Sequence, residues 1–78
     1  MIITTTQSIQ GHEIREYKGL VSGEVMIDGR EQAQREMEQR ARAMGANAIV
    51  GVSYGYETVG PNGSMLLVSI SGTAVVVE

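Results

Sequence analysis

"NAIVGVSYGYETVGPNGSMLLVSISGTAVVV", residues 47–77, is two alternating runs either side of Gly60-Pro61-Asn62-Gly63. Alternation at a period of two, rich in Val, Ile, Tyr and Thr, marks half-buried strands. Proline suits the first central position of a type I turn and asparagine the second, and Gly63 then takes the left-handed position of a G1 bulge. That turn sets the pairing: Gly60 opposite Ser64, Val59 opposite Met65, Tyr56 opposite Val68, Tyr54 opposite Ile70 and Val50 opposite Ala74. One face of the ribbon then carries Ala48, Val50, Val52, Tyr54, Tyr56, Leu66, Val68, Ile70, Ala74 and Val76. The other has Gly51, Ser53, Gly55, Ser69, Ser71 and Thr73 in its middle, with Ile49, Val75, Met65 and Val59 towards its ends. A slip of one residue would exchange the faces, so burial itself specifies the register.

Upstream, "EIREYKGLVSGEVMI" (residues 13–27) alternates Tyr17, Gly19, Val21, Gly23 and Val25 with Glu16, Lys18, Leu20, Ser22 and Glu24, which predicts a first long strand with a glycine-thinned apolar face. Asp28 ahead of Gly29-Arg30-Glu31 resembles a capping box, and Gly45 is a typical residue just beyond a helix end. The spacing of Ala33, Met37, Ala41 and Met44 gives that helix an apolar stripe for the ribbon. Glu31 with Arg35, Glu36 with Arg40, and Glu38 with Arg42 are i,i+4 pairs in the favoured orientation, which reads as a solvated helix face.

The expected architecture is α+β: one domain over residues 1–78, a β-α-β-β two-layer subunit. The third strand is the most apolar and belongs in the middle of an antiparallel sheet of order 1-3-2, with the helix on one face. The outer strands leave open edges, and the N-terminal Ile2-Ile3-Thr4-Thr5-Thr6 is expected to add a short strand to a neighbour's edge.

With 78 residues, no Cys, no Phe, no Trp and ten Gly, the core rests on aliphatic residues, Met and three Tyr. Small domains without disulfide or metal staples commonly depend on self-association. The serine-glycine face of the ribbon therefore has two readings. It is the wet side of a one-sided sheet, or it is a surface thin enough for another subunit to approach closely. The apolar flanks and the thin single-chain core favour the second.

A net charge of −3 argues against a nucleic-acid partner, since four of the six basic residues lie inside the mixed-charge helix rather than on a basic patch. No run is long enough to span a bilayer, and the N-terminus lacks the features of a signal peptide, which points to the cytoplasm. Nucleotide-binding and metalloprotease motifs are missing. One His leaves no base–orienter pair for an activated serine within one chain, so no residue is assigned as catalytic and the protein is expected not to be an enzyme. For metal the best donor is His12, beside Glu13 at the entrance of the first strand, most usefully when several subunits contribute it. Met37 and Met44 fit the core better than a soft-metal site. Tyr54 and Tyr56 could reach a pocket rim with wet hydroxyls, but core packing is the better reading of both, and Glu57 reads as a solvated carboxylate on the other face.

Several segments stand where one family has them: Gly11-His12, Tyr17, Val21-Ser22-Gly23-Glu24, Gly45-Ala46-Asn47-Ala48 with Val50-Gly51, Tyr56-Glu57, Gly63-Ser64-Met65 and Ser71-Gly72-Thr73-Ala74-Val75. Through them the chain resembles the YbjQ-like family, whose members carry a heavy-metal-binding label. The resemblance implies a small α+β subunit in a homopentameric ring, with a metal ion as its only suggested cofactor. It implies no known reaction and no established ligand residues. Family members have a longer middle, with a glycine-rich stretch and an extra helix, where this chain passes from Ile27 through Asp28-Gly29 into one helix. The sequence thus reads as an oligomeric protein that binds a heavy-metal ion or small ligand without catalysis. The alternative is a structural or protein-interaction module that assembles as a ring.

Overall fold

The structure, a computed structural model, describes residues 1–26, 30–63 and 65–78. Its elements run β1 (Ile2–Ile3), β2 (Ile14–Met26), α1 (Arg30–Ala43), β3 (Ala48–Val59), a short turn (Pro61–Gly63) and β4 (Met65–Val77). They build a four-stranded sheet of order β1-β3-β4-β2, with α1 packed on one face. The molecule is elongated, 47 × 22 × 17 Å.

The three long strands lie in the expected order, with β4 antiparallel to both neighbours. The all-antiparallel three-stranded sheet needs one correction. Ile2 and Ile3 pair in parallel with Ala48 and Ile49 of their own chain, so the sheet is mixed and has a fourth strand. The edge of β3 lies within reach of the N-terminus, and closing an intrachain loop costs less than recruiting another molecule.

The hairpin keeps the expected pairs Val59–Met65, Tyr56–Val68 and Tyr54–Ile70. Gly63 is left-handed as expected, at φ 64°, but the turn differs at Asn62, which has φ 59° and ψ 26°. A type I turn needs a negative φ at its second central residue, whereas asparagine tolerates the left-handed region. The Gly60–Ser64 pair and the Asp28 cap fall outside the described residues.

Further along, the register changes. Val50 pairs with Thr73 instead of Ala74, and Ile49 takes Ala74, because β3 carries an extra residue between Val50 and Ser53. Gly51 makes this bulge, at φ +62°, a conformation that costs a side-chain-bearing residue roughly 1 kcal/mol. The bulge exchanges the faces of everything before it. Ile49 turns towards the helix, and Ala48 and Val50 turn away from it.

The result is two cores. Beneath α1, Val21, Ile49, Val52, Ile70 and Ala74 meet Ala33, Met37, Ala41 and Ala46. The helix backbone lies directly on β2, since a Cβ on Gly23 would stand 2.0 Å from the Ala33 carbonyl oxygen. Helix α1 ends in a Schellman motif: Gly45 N–H donates to Arg42 O (3.0 Å) and Ala46 N–H to Ala41 O (3.0 Å). Met44, expected in the stripe, lies past the last helical residue and is 36% exposed. On the opposite face, Ala48, Val50, Val75 and Val77 form a second cluster under Ile9 and Ile14. The segment after β1 crosses this end of the sheet, tied by Val52 N–H to Thr4 O (3.1 Å) and Gly51 N–H to Thr6 O (2.8 Å).

Strand β2 has two irregularities of its own, at Ile14/Glu16 and Tyr17/Gly19. The second puts Tyr17 opposite Val75, on the face away from α1, where it is 69% exposed. Tyr17 therefore does not share the apolar face of Val21 and Gly23 that simple alternation implies.

Candidate functional site

His12 lies at the end of the sheet where β2 begins and β4 finishes. Its Nδ1 is 2.9 Å from the main-chain oxygen of Glu78. A carbonyl oxygen only accepts, so Nδ1 carries the hydrogen and donates. In the neutral ring this leaves the lone pair on Nε2, and the His12 side chain is exposed. The same main-chain contact commonly orients a metal-binding histidine. Around it, Glu78 N–H donates to Glu13 O at 3.1 Å, and the Arg15 guanidinium meets the Glu78 carboxylate at 2.7 Å. This pair is more than half exposed, so it contributes well under 1 kcal/mol.

A single chain supplies too few donors for a heavy-metal ion at this corner. Among the described residues no group of three or more His, Asp or Glu side chains could hold one. The sequence has one His and no Cys, and zinc-like ions ordinarily take four N, S or O ligands.

The other residues picked from the sequence lie elsewhere. Tyr54 pairs with Ile70, Tyr56 with Val68 and Ile14 with Val77, so the two tyrosines lie seven and nine β4 residues from the His12 corner, or about 20–30 Å. Tyr54 packs against the core beneath α1, whereas Tyr56, 53% exposed, is not sealed by the helix as its place on the apolar face implied. Glu57 is exposed. Met37, on α1 itself, is fully buried as a core residue.

The serine face is real and extends over three strands. Register places Ser22 opposite Ser71, Ser71 opposite Ser53, and Ser69 opposite Gly55. The Ser53 and Ser71 hydroxyls are 3.3 Å apart. Gly55 is small for a reason within the chain, because a Cβ there would meet Ser69 Oγ at 2.6 Å. Beside the serines, on the outward face of β2, Leu20 is 86% exposed.

Two polar residues have roles that sequence patterning misses. Asn47 clamps the end of β4: Nδ2 donates to Val77 O (2.8 Å) and Oδ1 accepts from Val77 N–H (2.8 Å). Its side-chain amide thus does the work of one more strand residue. Arg40, expected only to pair with Glu36, does so and also donates from Nη1 to Ser22 O of β2 at 2.7 Å. Nothing in the helix spacing signals that reach, because it depends on where α1 crosses β2.

Known proteins resemble this chain along its whole length. The family model described as "YbjQ_1: Putative heavy-metal-binding" matches residues 1–29 and 24–78. A "UPF0145 protein" of Acetivibrio thermocellus is 44% identical over 106 residues, spanning all of both chains. A "UPF0145 protein" of Listeria monocytogenes serotype 4a is 42% identical over 106 residues, spanning all of this chain and 96% of the relative. A crystal structure of a Pediococcus pentosaceus protein with unknown function, of the DUF74 family, superposes with a TM-score of 0.71 at 22% identity, covering 100% of this chain and 98% of that one. That likeness concerns the fold alone. The alignments run over 106 residues where this chain has 78. The two matched segments meet at residues 24–29, which puts the relatives' additional residues at the junction between β2 and α1. No helix of the described residues is long and apolar enough to cross a membrane.

Proposed function

This chain belongs to the YbjQ-like family, and from that premise we propose a non-catalytic homo-oligomer that holds a heavy-metal ion or small ligand between its copies. The observation that carries the reading is the His12 ring. Its Nδ1–H is engaged by Glu78 O, so in the neutral ring Nε2 carries the lone pair, on a side chain that is exposed at a corner of the subunit. One donor per chain means that a metal is held only where several copies bring their His12 together. The ring of five that the family resemblance implies is one such arrangement, and we place it in the cytoplasm with neither nucleic acid nor membrane as a partner.

The test is native mass spectrometry on untagged protein prepared without chelator, followed by calorimetric titration with Zn²⁺ and Cd²⁺. The expected result is an oligomer carrying less than one ion per chain, with binding abolished in His12→Ala and the assembly kept. Equal metal binding by His12→Ala, or none by the wild type, sinks the metal reading.

A second reading, a ring acting as a structural or protein-interaction module, is favoured by one separate observation. Leu20 and Tyr17 stand exposed on the face that carries the serines. Ser71→Arg discriminates here, because loss of assembly with an unchanged circular dichroism spectrum would assign that face to contact between chains.

A further inference from the structure

The sheet has two outer edges, and they are built differently. The edge of β2 carries Arg15, Glu16, Lys18 and Glu24 and two register shifts. Its Ser22 carbonyl is taken by Arg40 from the helix. Charges, irregular register and covering groups are the means by which natural sheets keep an edge from pairing. On the other side, β1 and the residues after it cover β3 as far as Val52. From Ser53 to Val59 β3 pairs in unbroken register with β4, and among the described residues no strand lies on its other side. This stretch, Ser-Tyr-Gly-Tyr-Glu-Thr-Val, has one charge, no Pro and no Lys. A regular strand directs every second pair of N–H and C=O groups outward, where they seek partners.

We propose that the Ser53–Val59 edge of β3 docks on the same edge of a second copy, antiparallel across a two-fold axis. The β2 edge is blunted, so of the two outer edges of this sheet only this stretch is suited to pair with its own copy. The stretch is also compatible with itself. With Tyr56 on the two-fold axis, the two Tyr56 rings face each other and each Glu57 faces Gly55, so the only charge never opposes its copy. Aromatic cross-strand pairs are favourable, and like charges directly opposite are not. A two-fold contact of this kind is closed, and it leaves neither copy of that edge exposed. It goes beyond the metal reading and is independent of His12. It joins rings rather than closing one, so two five-membered rings joined through it contain ten chains.

The natural absence of Cys makes a direct test available. Tyr56→Cys under mild oxidation is expected to yield disulfide-linked dimers as the main product, because directly opposed strand residues lie within disulfide reach. Leu20→Cys, highly exposed but on β2, is expected to stay at the collisional background. Thr58→Pro, a residue that an edge strand tolerates and a pairing edge does not, is expected to halve the assembly mass in sedimentation velocity with the circular dichroism spectrum unchanged. Thr58→Lys replaces it should the proline variant fail to fold. Cross-linking that is faster at position 20 than at position 56 overturns the proposal, as does an assembly of unaltered mass in the Thr58 variant. A wild type that stays monomeric at high concentration, or that pairs this edge only with an added extended peptide, overturns it as well. Five chains that survive the Thr58 substitution retain the ring and remove the edge contact. Two chains alone retain the edge contact and remove the ring.

Discussion

The two faces of the sheet use small residues to opposite ends. Towards the helix, Gly23 is small because the backbone of α1 rests on it, with the Ala33 oxygen where a side chain would go. Away from the helix, Ser22, Ser53 and Ser71 make a comparably thin surface, and all three are exposed. A small residue in a strand permits close approach. Only the tertiary structure reveals whether anything approaches. The same distinction holds for the two cores. One is sealed by a helix with fully buried Met37, the other by an irregular segment that contributes Ile9.

That contrast can be broken at four positions, all read as changes in unfolding free energy from urea titrations. Gly23→Val is expected to have the largest effect, about 3 kcal/mol or more and with poor folding, because neither helix backbone nor strand can yield the space. A mild effect would show that α1 is free to lift from β2. Met37→Ala comes next, at about 2–5 kcal/mol, through loss of buried area and the cavity left behind. A value near zero would mean that the helix contributes little to the fold. On the other face, Gly51→Ala is expected to cost roughly 1–2 kcal/mol from its left-handed backbone, with its Cβ also 3.3 Å from the Gln7 side chain. An unchanged stability would indicate that the bulge can be ironed out. Ser71→Ala should shift the dilute protein by no more than about 0.5 kcal/mol, as exposed positions usually do. A loss well above that, growing with protein concentration, would show that the serine face is occupied in an assembly.

The legible parts of the sequence were those governed by neighbours in the chain. Alternation, the Gly60–Gly63 turn and the Ala33–Met37–Ala41 stripe predict the hairpin, its register near the turn and the buried side of α1, all as observed. The errors accumulate away from the turn. Gly51 reads as one more small residue of a regular strand, and nothing local distinguishes it from Gly55. Yet one adopts a positive φ and moves Val50 to the other face, while the other stays extended. The bulge is stabilised by Thr4 and Thr6 of a segment more than forty residues upstream. No window of sequence around Gly51 contains those partners. For the candidate site, His12 was legible as the only histidine, but its orientation was not, because Glu78 O comes from the far end of the chain.

By itself, then, the sequence determined the helix, the long hairpin and the α+β class, since periodicity and turn chemistry act between residues a few positions apart. Tertiary structure decided which residues of β3 face the helix, where the N-terminal strand pairs, and which edge of the sheet Arg40 reaches. Those outcomes depend on main-chain groups brought together from distant segments, and a hydrogen bond to a backbone carbonyl leaves no mark on the identity of the residue that carries it.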